Sequence, residues 1–127
     1  MKNPQEWLRQ ADYDLDSAEY MFQCERYIYC IFLCHLAIEK AMKGLYTIRL
    51  NSVPPKTHNL IYLIEKMNLS LPVELYDFIF ILNRVSVPTR YPDDFQKLIK
   101  EFETNRTKEI LENSKKVLKW LKENLQK

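Results

Sequence analysis

Apolar residues recur along this chain at intervals of three and four, the spacing of helices that each bury one face. The first such stretch opens with Asn3, Pro4 and Glu6: a capping asparagine, a proline at the first helical position, and an acid three residues after the cap. It predicts a helix to about Gln23, with Trp7, Ala11, Leu15, Ala18 and Phe22 facing inward and Asp12, Asp16 and Glu19 on another face. A second helix, from about Glu25 to Leu50, is apolar on nearly every side and so belongs at the centre. The segment "NSVPPKTHN" (51–59) ends it, because each proline disfavours helix at the residue before it. Thr57 or Asn59 caps a short third helix with Leu60, Leu63, Ile64 and Met67 apolar, and Pro72 opens a fourth to about Ser86, carrying Leu75, Phe78, Ile79, Leu82 and Val85. "SVPTRYPDDF" (86–95) reads as irregular, with Arg90 and Tyr91 held between Pro88 and Pro92. A short helix from Asp93 to about Phe102 follows. The last, about Asn105 to Asn124, turns Ile110, Leu111, Val117, Leu118, Leu121 and Leu125 inward and Lys115, Lys119 and Lys122 outward, where they complement the acidic row of the first helix.

The expectation is an all-α, up-and-down bundle of about five helices forming one domain over residues 1–127, with the second helix at its centre. A single glycine in the chain argues against sheets, hairpins and a glycine-rich phosphate loop. The net charge of +2 is too near neutral to indicate non-specific binding to nucleic acid. No apolar run reaches the roughly 18 residues that span a bilayer, and the polar, acidic start "MKNPQEWLRQADYD" is unlike a signal peptide. Three cysteines, Cys24, Cys30 and Cys34, form no disulfide framework, which fits a reducing cytoplasm.

Candidate chemistry changes this picture at one place. "CHLAIEKAMKG" (34–44) lies within the most apolar helix, yet carries His35, Glu39, Lys40 and Lys43. On a helical wheel His35, Glu39, Met42 and Lys43 share a side with Ile28, Ile31 and Tyr46, while Lys40 points nearly opposite, beside Ala37 and Gly44. Charges are removed from water only at a cost that partners must offset. The stripe is therefore either an ion-paired structural element, Glu39 with Lys43 or with an arginine of another helix, or the wall of a polar site. A metal is not expected, because four-helix carboxylate sites use Glu-x-x-His on two helices and neither His35 nor His58 has a glutamate three residues before it. No cofactor is expected either, and no serine sits in a nucleophile elbow, so no catalytic residue is assigned. Arg90 and Tyr91 offer a phosphate-binding fork and a stacking ring, or else Arg90 pairs with Glu39 or Asp93 while Tyr91 packs.

Taken in order, "WLRQADYDLDSAEYM", "CERY", "HLAIEKAMKGLY", "PPKTHNLIYLI" and "TRYPDDF" resemble the HEPN domain (higher eukaryotes and prokaryotes nucleotide-binding) in its small free-standing prokaryotic form. The resemblance spans nearly the whole chain. It implies a helical bundle related to the substrate-binding domain of nucleotidyltransferases, often a homodimer, and frequently partnered by a separate minimal nucleotidyltransferase chain in a toxin–antitoxin pair. It points to Glu39, Lys40, Lys43, His58, Arg90 and Tyr91 as nucleotide-binding residues, with Arg90 and Lys43 on phosphate, Tyr91 stacked on a base, and Glu39 orienting a base edge, a ribose or Arg90. The ribonucleases of the family carry an arginine followed four to six residues later by histidine. Here Arg84 and Arg90 have no histidine after them, since His58 is the last in the chain. The expected function is a nucleotide-binding module, with a metal-independent ribonuclease built from Arg90 and His58 as the alternative.

Overall fold

The computed structural model describes residues 3–125. Its helices are α1 (Pro4–Gln23), α2 (Tyr27–Leu50), α3 (Leu60–Met67), α4 (Val73–Arg90), α5 (Phe95–Glu101) and α6 (Thr104–Glu123), and no strand occurs among the described residues. The described residues form six helices, the short α5 included, rather than about five.

The helix ends follow local chemistry. Asn3 caps α1 by accepting from the Gln5 N–H at 2.8 Å, with Pro4 in the first turn. Asn59, rather than Thr57, caps α3, its Oδ1 accepting from the N–H groups of Ile61 and Tyr62. With glycine almost absent, other residues take the left-handed positions that end helices: Glu25 after α1, Asn51 after α2 and Asn68 after α3. Asparagine tolerates that conformation because its short amide compensates locally.

One boundary differs from expectation. α4 does not stop near Ser86 but continues through Pro88 to Arg90. Pro88 has no N–H to offer the carbonyl four residues back, an omission that usually ends a helix. Here the face carrying Ile79, Leu82, Val85, Ser86 and Thr89 stays buried through the last turn. The Ser86 and Thr89 hydroxyls donate to the carbonyls of Asn83 and Ser86. Burial and these local bonds hold the turn past the proline, so Arg90 is a helix residue and Tyr91 its C-terminal cap.

α2 is the axis of the bundle and touches every other helix. Its Cys30, Ile31, Cys34, Ala37, Ile38, Ala41, Met42 and Leu45 are fully buried among Ala11 and Ala18 of α1, Leu60 and Leu63 of α3, Ile79 and Leu82 of α4, and Val117 and Leu121 of α6. The three cysteines are free, Cys30 and Cys34 as small core residues. Across the outside, Lys115 pairs with Glu19 at 2.7 Å and Lys122 with Asp12, joining the basic face of α6 to the acidic row of α1.

At Gly44, α1 packs closely against α2. A Cβ at this position would stand 3.1 Å from the Trp7 Cβ and 3.3 Å from the Pro4 carbonyl oxygen. Gly44→Ala should be near neutral in urea unfolding, since about 1 kcal/mol of helix propensity offsets the crowding. Gly44→Val should lose at least about 1–3 kcal/mol by forcing the helices apart; equal midpoints for the two variants would mean that the approach carries no constraint.

Candidate functional site

The apolar rod of α2 bears one polar stripe, and the surrounding helices converge on it. Spacing by three and four residues places His35, Glu39 and Lys43 on one side. The Glu39 carboxylate is 5% exposed and lies at the centre. Its Oε2 accepts from Lys43 Nζ at 3.1 Å. Its Oε1 faces His58 Nδ1 at 2.9 Å and the Arg90 guanidinium at 3.7 Å. Three separate segments thus meet on one carboxylate: α2 itself, the loop between α2 and α3, and the last turn of α4.

His35 forms the floor. Arg90 Nη2 lies 3.2 Å from His35 Nδ1. A guanidinium only donates, so Nδ1 must be the acceptor and the proton of the neutral ring sits on Nε2. That Nε2 faces Asn83 Oδ1 at 3.5 Å. Burial pushes the His35 pKa down to about 4; the nearby Glu39 carboxylate opposes this and the Arg90 charge reinforces it. The hydrogen-bond geometry and the burial both favour a neutral imidazole.

Asn83 ties the floor to the mouth. Its Oδ1 also accepts from the Leu60 N–H at 2.9 Å, and its amide nitrogen donates to Asn59 Oδ1 at 3.1 Å. The residues flanking His58 on its C-terminal side are therefore fixed to α4. His58 itself is 66% exposed at the mouth. Because a carboxylate oxygen accepts, His58 Nδ1–H is the donor in the contact with Glu39.

Arg90 occupies the wall. Its guanidinium lies over the Phe32 ring, 4.7 Å from the centroid, and its side chain is 15% exposed. Lys43 lies 5.9 Å from the Trp7 ring centre. On the outer side of Arg90, an open pocket of about 270 Å³ is lined by Tyr29, Phe32, Thr89, Arg90 and Tyr91.

The cluster brings together Glu39, Lys43, His58 and Arg90. Lys40 lies elsewhere, on the far side of α2, paired with Asp14 of α1 at 2.7 Å. Tyr91 is 82% exposed and stands at the outer rim of the pocket rather than against Glu39. Sequence reading placed His35 in the stripe but left it out of the binding residues, and missed Asn83, Phe32 and Tyr29. Phe32 and Tyr29 continue the same α2 face at three-residue steps and were findable by extending the wheel. Asn83 carries no local signal, since all its partners except Ser86 are distant in sequence. Among the described residues no group of three or more histidine, cysteine or acidic side chains could hold a metal.

The neutral His35 makes stability depend on acidity. Its folded pKa lies below the ordinary 6.5, so on acidification the unfolded chain takes up this proton first. The stabilisation is complete above pH 6.5 and is lost as pH falls to about 4, by about 3 kcal/mol for this group. Denaturant unfolding at a series of pH values should show that slope, and His35→Asn should flatten it. An unchanged slope in the variant would contradict the assignment.

A family model described as HEPN domain matches residues 4–125. Among solved structures, TT1696 from Thermus thermophilus has a TM-score of 0.83 at 24% identity, over 97% of this chain and 98% of that one. ST0689, an archaeal HEPN homologue, has a TM-score of 0.80 at 24% identity, over 99% of this chain and 100% of that one. At this identity the likeness to the two structures is one of fold. No curated protein matches the chain. The match over nearly the full length, which the order of sequence motifs had implied, settles the family: the chain belongs to the HEPN domain family.

Proposed function

We propose that this chain is a nucleotide-binding helical module whose site is the Glu39 cluster. The observation that carries the reading is a charge imbalance in a half-closed place. One carboxylate, Glu39, faces two basic side chains, Lys43 and Arg90, with His58 at the mouth. The surplus positive charge suits a phosphate. Arg90 has donors to spare: its contact with Glu39, at 3.7 Å, is longer than a hydrogen bond. Glu39 keeps Arg90 and Lys43 oriented, and the ligand phosphate supplies the remaining counter-charge.

In this reading the module works in the cytoplasm beside a separate minimal nucleotidyltransferase chain, as one half of a toxin–antitoxin pair, and as a homodimer. Family membership supports these partners. The side chains of Val73, Tyr76, Phe80 and Val87, exposed on α4, are of the kind that a protein partner covers. Among the described residues no helix is long and apolar enough to cross a membrane. RNA is not the favoured ligand.

One observation favours a second reading, a metal-independent ribonuclease. The 2.9 Å contact between His58 Nδ1 and buried Glu39 is the arrangement that orients an imidazole for proton transfer. Arg90 on the same carboxylate could then face the scissile phosphate. Against it stands the absence of the arginine-to-histidine spacing of the family's ribonucleases.

Calorimetric titration with ATP, GTP and AMP should show micromolar binding, and Arg90→Ala should weaken it at least about tenfold, the usual cost of a charge-assisted phosphate contact. Unchanged affinity in a folded variant would overturn the site. Incubation with structured and unstructured RNA in chelator should give the same background pattern for wild type and His58→Ala. Cleavage lost only in the variant would instead establish the ribonuclease.

A further inference from the structure

The face of α2 that carries the polar cluster does not end at His35. Stepping back by three residues at a time it reaches Phe32 and then Tyr29, which with Thr89, Arg90 and Tyr91 line the 270 Å³ pocket. Tyr29 is 56% exposed although it sits in the first turn of the most buried helix of the bundle. Tyr91, the C-terminal cap of α4, lines the same pocket. Two aromatic rings from two helices thus flank an open pocket, and a third, Phe32, lies against Arg90.

Arg90 belongs to both places. Its guanidinium packs over Phe32 on one side and meets His35 and Glu39 on the other. Along α2, Phe32 and Glu39 are separated by about 10 Å at 1.5 Å per residue. An aromatic pocket therefore opens next to a cation-rich cluster, with one arginine as the shared wall. A ligand that fills both has a flat ring at one end and an anion at the other.

Resting on the reading above, we propose that this pocket is the base subsite, that Tyr29 and Tyr91 are its stacking groups, and that Phe32 positions Arg90 for the phosphate. The ligand class is a nucleotide recognised by its ring faces and its phosphate. Few groups are available to read base edges. The Thr89 hydroxyl already donates to the Ser86 carbonyl, and in this reading the spare donors of Arg90 go to the phosphate. Stacking tolerates any base because every base has a π-face, so adenine, guanine, cytosine and uracil nucleotides should bind alike.

The test is calorimetric titration of the full chain with AMP and with ribose 5-phosphate, for wild type, Tyr29→Ala, Tyr29→Phe and Arg90→Ala. Tyr29 is exposed, so its truncation spares the core. Tyr29→Ala should weaken AMP about tenfold, the effect of one lost stacking contact, leave ribose 5-phosphate unchanged, and be rescued by Tyr29→Phe. Arg90→Ala should weaken both ligands. AMP binding that depends on Arg90 but is untouched by Tyr29→Ala would overturn the base subsite and leave the proposed function standing. Absence of binding by either ligand would overturn both. A single-stranded trinucleotide tells a strand from a free nucleotide: tighter binding than AMP assigns the pocket to a strand, equal binding to a mononucleotide, and the loss in Tyr29→Ala is expected in either case.

Discussion

A carboxylate that is 5% exposed inside a helical bundle must be neutralised where it stands, and the arrangement around Glu39 follows from that requirement. Lys43 arrives from one turn further along the same helix. His58 arrives from the loop after α2, and Arg90 from a turn of α4 that local propensity alone would not have kept helical. Each segment is held by its own bonds as well. Asn59 caps α3, Asn83 fastens the start of α3 to α4, and the Ser86 and Thr89 hydroxyls secure the turn around Pro88. The carboxylate is the point at which these locally determined pieces are brought into mutual register.

The position of α2 gives this constraint its reach. A helix in contact with all the others has little solvated surface on which to leave a charge. Two of its charges, Lys40 and Glu39, are handled differently. Lys40 turns to α1 and is closed off one-to-one by Asp14, which leaves nothing for a ligand. Glu39 turns to the junction of α3 and α4, where cations outnumber it and His58 stands in the opening. The same helix thus carries a closed ion pair on one side and an under-balanced cluster on the other. That difference, more than the presence of charge, is what separates a structural pair from a binding site.

How much of this was legible in the sequence depended on the range of the interaction that decides each feature. Helices with a clean apolar period, such as α3 with Leu60, Leu63, Ile64 and Met67, were readable because burial and period coincide. So was the opposition of Lys40 to the Glu39 stripe, which is pure helix geometry. The end of α4 was not, because the usual veto of Pro88 is outweighed by the burial of Val85, Ser86 and Thr89 against the rest of the bundle, a tertiary effect. Asn83 was invisible for the same reason: its partners are His35, Asn59 and Leu60, far away in the chain. Lys40 entered the candidate site through family resemblance, which transfers a motif whole and does not distinguish the faces of the helix that bears it.

A double-mutant cycle in denaturant unfolding measures directly whether Glu39 and Arg90 act as one unit across two helices. Glu39→Gln, Arg90→Met and the double variant would be compared with wild type under conditions where all four fold. A shared buried cluster predicts a coupling energy of about 1–3 kcal/mol, because each single change strands the other partner. Additivity within about 0.5 kcal/mol would mean that the two side chains are neighbours without dependence, and the cluster would lose its organising carboxylate.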